Sequence, residues 1–338
     1  MHVFYIHSHI TYVLAQLFIN HHDLKNEDIR YITSRGYQLN SVGRVYDIAE
    51  FYNYLESEGK VNKIFYLKKR VEILDGNINS LVENKQFRVY LPQFNHSLFQ
   101  IIASHRLCEK VVLVEEGITS YKLDERLYKK VNIKFSQILS LFYSNRFLFK
   151  NKHYCPYPEN KFEYAICINE ECFPYISNKR VLEIKSQIVD NYRNYINSKD
   201  AVLILDSFKE RAKIKDEDYL KIIRETLELL KTEFDRLYVK FHPEQGGDIR
   251  SKTLKFIESE FNYSRVICLK DSCILEFEFL KSKNLTVIGM HTSLLYYAKL
   301  FGHNVISSIK ITSKLPEISD YIDHVMDERQ KKEYFNYE

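Results

Sequence analysis

The sequence predicts an α/β chain of two parallel-sheet domains, and three observations carry that prediction. Strand-like and helix-like segments alternate from Val3 to Val114, the rhythm breaks between Leu123 and Pro158, and it restarts at Ala201. The chain has 338 residues, enough for two cores, and 45% of them are hydrophobic. With only nine Gly and six Pro, it is not a disordered or low-complexity chain.

In the first half, Val3–Ile6 reads as a strand, Thr11–Ile19 as a helix and Asp28–Thr33 as a second strand before a turn at Ser34-Arg35-Gly36. Tyr46–Glu58 carries Ile48, Phe51, Tyr52 and Leu55 on one helical stripe. Val61–Leu67, Arg88–Leu91 and Lys110–Val114 read as strands, with helices at Lys68–Val82 and Ser97–Leu107 between them. Glu163–Ile168 offers one more strand, and Arg180–Tyr195 reads as a polar helix leading between domains. Alternation of this kind implies a mostly parallel sheet covered on both faces.

The second half repeats the pattern. Ala201–Leu205, Arg236–Phe241, Arg265–Leu269, Leu285–Gly289 and Asn304–Ser307 read as strands. Asp216–Thr232, Lys252–Phe261, Leu275–Lys281 and Ser293–Phe301 read as the helices between them. Asp216-Glu217-Asp218 opens the first of these helices and reads as capping. A polar terminal helix, Glu317–Glu333, closes the chain.

Charge and cysteine usage narrow the function classes. A net charge of +4 suits anionic ligands or a membrane surface and lacks a nucleic-acid binder's signature. The six cysteines, Cys108, Cys155, Cys167, Cys172, Cys268 and Cys273, have no CxxC spacing, so buried free thiols in a reducing compartment are expected, not zinc or disulfides. The amino terminus lacks a basic segment before its apolar part and carries His7, Ser8 and His9 within it, unlike a signal peptide. No apolar run reaches the ~18 residues of a membrane span, so a cytoplasmic location is expected.

Four strand ends carry groups capable of chemistry. The strand Lys110–Val114 runs into Glu115-Glu116-Gly117, where adjacent carboxylates repel and favour a proton acceptor, or form a solvated turn. In Leu237–Gln245, "LYVKFHPEQ", Pro243 cannot join a β-ladder, which leaves His242 at a sheet's carboxyl edge. Lys240 reads as a solvent-side residue. Thr292-Ser293 opens a helix and can cap it or hold a phosphate there. Glu276 falls in a first helical turn, where it favours the dipole or accepts hydrogen bonds from ribose hydroxyls. The chain has no GxGxxG, P-loop or GxSxG motif.

Glu115-Glu116-Gly117, His242-Pro243 and Thr292-Ser293, in that order, resemble the signature of bacterial sialyltransferases with the two-domain GT-B fold, the polysialyltransferase and lipooligosaccharide sialyltransferase families. The resemblance implies two Rossmann-like α/β domains facing each other across a cleft. Residues 1–190 would bind the acceptor, residues 191–316 would bind the CMP donor, and a helix over 317–338 would pack back on the first domain. It implies that Glu115 is the general base and that Glu116 orients the acceptor or supports the base. His242, next to Pro243, would contact the donor phosphate and help CMP depart. Thr292 and Ser293 would hold that phosphate, and Glu276 would bind the CMP ribose. Asp206, after the strand Ala201–Leu205, is the reserve candidate for the base. His7, Ser8 and His9 follow the first strand and are expected, with Gly117, to face the acceptor.

The implied reaction is inverting, metal-independent transfer of a nonulosonic acid (sialic, pseudaminic or legionaminic) from its CMP donor to a capsule or lipooligosaccharide acceptor, with no cofactor. A CDP-glycerol-type glycerophosphotransferase, a UDP-sugar GT-B enzyme and a capsule-assembly scaffold with a degenerate GT-B fold are the alternatives. The segment Tyr128–Lys152 mixes basic and aromatic residues and suits either an anionic inner-membrane surface or a buried helix with basic flanks.

Overall fold

The computed structural model describes residues 1–34, 39, 43–57, 60–129, 146, 152–155, 159–183, 196–230, 234–261, 265–290 and 292–335. The chain divides into two compact units. Unit 1 is Met1–Glu116 with Leu123–Ile184, and unit 2 is Gly117–Lys122 with Lys185–Glu338. The six residues that follow Glu116 therefore count with the second unit.

Unit 1 holds a seven-stranded parallel sheet: β1 (His2–Ile6), β2 (Ile29–Thr33), β3 (Arg44–Asp47), β4 (Phe87–Leu91), β5 (Cys108–Val114), β6 (Phe162–Cys167) and β7 (Lys179–Val181). Its spatial order is β3-β2-β1-β4-β5-β6-β7. The chain winds outward from β1 in one direction and then from β4 in the other, so the switch point lies between β1 and β4. Val3, Phe4, Tyr5 and Ile6 are all buried, as a strand covered on both faces requires. Helices α1 (His9–His21), α2 (Ala49–Ser57), α3 (Lys60–Leu81) and α4 (Ser97–Ala103) connect the strands.

The expected strand Val61–Leu67 is instead the start of α3. Leu67, Val71, Leu74, Ile78 and Leu81 are buried at spacings of four and three, and no Gly or Pro falls between Lys60 and Gly76. Tyr46 and Asp47, expected in a helix, close the edge strand β3. Arg180 and Val181 lie in β7, and the rest of the helix expected over Arg180–Tyr195 falls largely outside the described residues. Of the turn at Ser34-Arg35-Gly36, only Ser34 is described. Helix α4 ends at Ala103, short of Leu107, where Ser104 caps it.

Unit 2 holds a five-stranded parallel sheet of order β10-β9-β8-β11-β12. Its strands are β8 (Ala201–Ile204), β9 (Arg236–Lys240), β10 (Arg265–Cys268), β11 (Thr286–Gly289) and β12 (Asn304–Ser307). Again the first strand of the unit, β8, lies beside the fourth, β11, and the switch point falls between them. Its helices are α5 (Phe208–Arg211), α6 (Asp216–Leu227), α7 (Gly247–Glu260), α8 (Leu275–Lys281), α9 (Ser293–Leu300), α10 (Ile309–Thr312), α11 (Pro316–Val325) and α12 (Glu328–Phe335).

The single terminal helix expected over Glu317–Glu333 is two, α11 and α12, broken at Met326-Asp327, where Met326 is extended. Gly289 sits where a Cβ would lie 2.4 Å from the Ile204 carbonyl oxygen, so β8 and β11 approach as only glycine allows. Four of the six free cysteines are buried as expected, whereas Cys268 is exposed and Cys273 half-buried. Among the described residues, no helix is long and apolar enough to cross a membrane.

Candidate functional site

In unit 1, Glu115 is fully buried and the Glu116 side chain is only 9% exposed, and the two carboxylates face different partners. The Glu115 Oε2 accepts the backbone N–H of Ile168 at 2.9 Å, while its own N–H bonds to the Ile166 carbonyl at 3.0 Å. Both contacts continue the β5–β6 pairing one residue past the strands. The Glu116 carboxylate turns the other way. It accepts from Gln93 Nε2 at 3.3 Å and lies 3.8 Å from His7 Nε2 and 4.0 Å from His153 Nε2.

His7 follows β1, Gln93 follows β4 and Glu116 follows β5, so the cluster straddles the switch point of the first sheet. Gln93 and His153 were not expected from the sequence. Gln93 carried a signal, its place at a strand's carboxyl end, whereas His153 lies in the stretch that breaks the rhythm and carried none.

The other residues expected near the acceptor are placed differently. The Ser8 hydroxyl caps α1 by accepting from Thr11 N at 3.4 Å, and the Thr11 side chain answers it in a capping box. His9 opens the same helix. Gly117 has φ +145, a backbone that side chains rarely adopt, and a Cβ there would lie 3.6 Å from Ser293 Cβ in unit 2. It therefore groups with the expected phosphate pair.

In unit 2, strands β8, β9 and β11 run into Asp206, His242 and Thr292 at one edge of the sheet, the carboxyl edge. Pro243 stands second in a turn that the Gln245 N–H closes onto the His242 carbonyl at 3.0 Å. The Gln245 side chain takes the His242 N–H at 2.9 Å and reaches the Tyr219 hydroxyl at 2.7 Å. This turn is why a His-Pro pair ends the strand. The Glu244 N–H points to His242 Nδ1 at 3.2 Å, which makes Nδ1 an acceptor and leaves the ring proton on Nε2.

Asp206, only 8% exposed, has no hydrogen bond to Oδ1 among the described residues. Burial pushes its carboxyl up to about 6 against the opposing pull of His242 and Arg211. Arg211 grips Glu244 through two bonds of 2.9 and 3.0 Å and donates to the Tyr321 hydroxyl at 2.9 Å. Thr292 caps the eight-residue helix α9 by accepting from Leu294 N at 3.4 Å, and Ser293 is its first residue.

Glu276 lies in the first turn of α8, 4% exposed, with no hydrogen bond to Oε2 among the described residues. Burial raises its carboxyl to about 7. Lys240 is not on a solvent face as expected: it is 5% exposed, and its ammonium donates to the carbonyls of Lys270, Asp271 and Cys273 at 2.8, 3.1 and 2.9 Å. Three backbone carbonyls take the place of water around its three N–H bonds. Among the described residues, no three His, Cys, Asp or Glu side chains group as metal ligands.

Two parallel sheets of the nucleotide-binding order, with acid, imidazole and hydroxyl groups at their carboxyl edges, define an α/β protein of the Rossmann-like class. Within that class the chain belongs to the alpha-2,8-polysialyltransferase family, whose model matches residues 3–310. It is a sialyltransferase, acting on a CMP-sialic acid donor and a glycan acceptor.

Among solved structures, the chain is similar to a UDP-GlcNAc 2-epimerase from Methanocaldococcus jannaschii, at 12% identity and a TM-score of 0.43, over 90% of this chain and 82% of that one. It is also similar to a glycosyltransferase from Rickettsia africae ESF-5, at 8% identity and a TM-score of 0.41, over 96% of this chain and 87% of that one. The curated proteins yield no match.

Proposed function

We propose that the chain transfers a nonulosonic acid, sialic acid or a relative, from its CMP donor to a capsule or lipooligosaccharide acceptor, with inversion and without a metal. The observation that carries this reading is the gathering of Asp206, His242 and Thr292-Ser293 at the carboxyl edge of one sheet, about its switch point.

The donor's bond from the anomeric carbon to the phosphate oxygen breaks as the acceptor oxygen attacks, through an oxocarbenium-like state. The departing phosphate needs hydrogen-bond donors that are already in place. The His242 Nε2–H and the amino terminus of α9, with the Ser293 and Thr292 hydroxyls, are suited to supply them. Glu276, ionised, is suited to accept bonds from ribose hydroxyls.

For the acceptor proton, Glu116 is the better base. Its carboxylate lies beside two imidazoles, whereas that of Glu115 is buried and holds the β5–β6 backbone. Glu115 then supports Glu116 from the interior, the reverse of the roles expected from the resemblance. Asp206 remains the second carboxylate candidate, in unit 2.

The test is a thermal-shift panel of nucleotides on wild type and His242→Ala. Stabilisation by CMP, CDP and CMP-sialic acid but not by UDP, weakened in the variant, supports the reading. A preference for UDP or UDP-sugars overturns the donor class.

Most of the expected membrane-facing segment Tyr128–Lys152 lies outside the described residues. Lys129, which is described, pairs with Glu125 at 2.5 Å. We propose peripheral contact with an anionic membrane through this segment. Loss of liposome binding on neutralising Lys129, Lys130 and Lys134 supports that contact, and unchanged binding overturns it.

A further inference from the structure

The Lys240 ammonium is an expensive way to fill a strand end. Removing it from water costs several kcal/mol, and an apolar side chain would fill the same place at less cost. Desolvation pulls its pKa down, and the charges facing it are Cys273, Glu276 and Asp271, with Arg250 opposing. What the ammonium provides is a grip. Its three bonds fix the carbonyls of residues 270–273, the loop that runs from β10 into α8 and delivers Glu276.

Arg250 ties the same loop to the His242 turn. Its guanidinium donates to both Asp271 carboxylate oxygens at 3.1 Å, to the His242 carbonyl at 3.2 Å and to the Gln245 carbonyl at 3.0 Å. One cation on the strand before His242 and one on the helix after it thus converge on a single loop. Glu276, at the end of that loop, is nearly wholly buried and keeps an oxygen without a hydrogen bond among the described residues. A buried carboxylate in that condition lacks the partners such groups ordinarily have, and a ligand's hydroxyl can supply them.

We propose that Lys240 is a positioning residue of the donor site, holding the 270–273 loop so that the Glu276 carboxylate is fixed, relative to the His242 turn, to receive the ribose of the nucleotide. The inference rests on the reading of unit 2 as the donor-binding half. Lys240 touches no substrate and acts through Glu276. Its charge also favours the ionised Glu276 carboxylate, alongside a backbone hydrogen bond at Glu276 itself, against the burial that raises that carboxyl.

The test is isothermal titration of CMP between pH 6 and 8.5 on wild type, Lys240→Met, Lys240→Arg and Glu276→Gln. Wild-type affinity rises as the pH passes through about 7, where Glu276 ionises. In Lys240→Met the midpoint of that rise moves to higher pH, and affinity at pH 7 falls, roughly fivefold for a midpoint one pKa unit higher. Lys240→Arg keeps the charge and the midpoint. Its planar fork cannot meet three carbonyls set around one nitrogen, so its affinity still falls. Glu276→Gln binds weakly and keeps only the pH dependence of the CMP phosphate, which ionises at about 6.

A folded Lys240→Met with wild-type affinity and midpoint overturns the inference. If that variant does not fold, Lys240→Arg decides, and wild-type affinity there overturns it. Absence of CMP binding by the wild type at every pH overturns the donor-half reading and the inference with it.

Discussion

The backbone N–H of Glu244 points at Nδ1 of His242, 3.2 Å away, and that contact decides which ring nitrogen carries the proton. A proton on Nδ1 would face the amide hydrogen, so Nδ1 is the acceptor and Nε2 is the nitrogen that donates. His242 then serves as a fixed hydrogen-bond donor. Replacing it with Ala should lower kcat by about 10²–10³, as removal of an oxyanion donor does, while His242→Gln recovers part of the loss because its amide still donates. Steady-state kinetics on the two variants check this. Equal loss in both would mean that the ring has to titrate.

The two glutamates of the acidic pair should fail in different ways. Glu116→Gln is expected to keep the wild-type Tm and lose about 10²–10⁴ in kcat, the contribution of a positioned base. Glu115→Ala strips the buried Ile168 N–H of its acceptor and should cost about 1–3 kcal/mol of stability. Urea denaturation and kinetics on both variants separate the roles. A destabilised Glu116→Gln that retains activity would reverse them.

Asp206 and Glu276 should make the fold less stable as the pH rises. Their folded-state carboxyls sit at about 6 and about 7, above their values in an unfolded chain. Between the unfolded and folded values, the native state holds the proton that the unfolded state has lost. Stability therefore falls as the pH climbs through that window. Asp206→Asn and Glu276→Gln should each gain on the order of 1–3 kcal/mol above the window, and the gain should vanish near pH 4. Thermal melts at pH 4 and 8 read this directly, and equal shifts at both pH values would refute it.

Gly289→Ala should be among the costliest small substitutions in unit 2. The new methyl would lie 2.4 Å from the Ile204 carbonyl oxygen, backbone that cannot swing aside. The Gly289 carbonyl also receives both the N–H and the hydroxyl of Ser308, at 2.9 and 3.0 Å. A loss of about 1–3 kcal/mol in denaturant unfolding is expected. A loss below about 0.5 kcal/mol would show that β8 and β11 part easily.

Much of this was legible where the sequence pattern coincides with burial. The helix Leu275–Lys281 and the strand Asn304–Ser307 fall where the pattern places them. The strands missed, β3 and β7, are the two edges of the first sheet. Their residues are mostly exposed and leave no apolar run to read. Val61–Leu67 misled because a short apolar run does not tell a buried strand from the first turns of an amphipathic helix.

At the site, strand ends revealed Glu116, His242 and Thr292. Which glutamate faces inward depends on pairing with β6, more than forty residues away, and no local pattern encodes that. Lys240 misled for a related reason: its three partners are carbonyls of a loop thirty residues on, and a carbonyl leaves no mark in a sequence.

The six residues after Glu116 give the gene an architecture that a single cut cannot respect. Tyr121 packs on Tyr296 with ring centroids 4.7 Å apart, Arg329 donates to the Tyr121 carbonyl at 2.7 Å, and Gln330 donates to the Ile118 carbonyl at 2.6 Å. A fragment begun at Lys185 would expose the face of Tyr296 and strip α12 of both acceptors, although every strand of its sheet is present. Anyone wishing to graft this unit onto another protein must carry the borrowed hexapeptide along, as a tether or as a peptide added in trans. Its affinity for the fragment would measure how much of this unit's integrity the borrowed stretch of chain supplies.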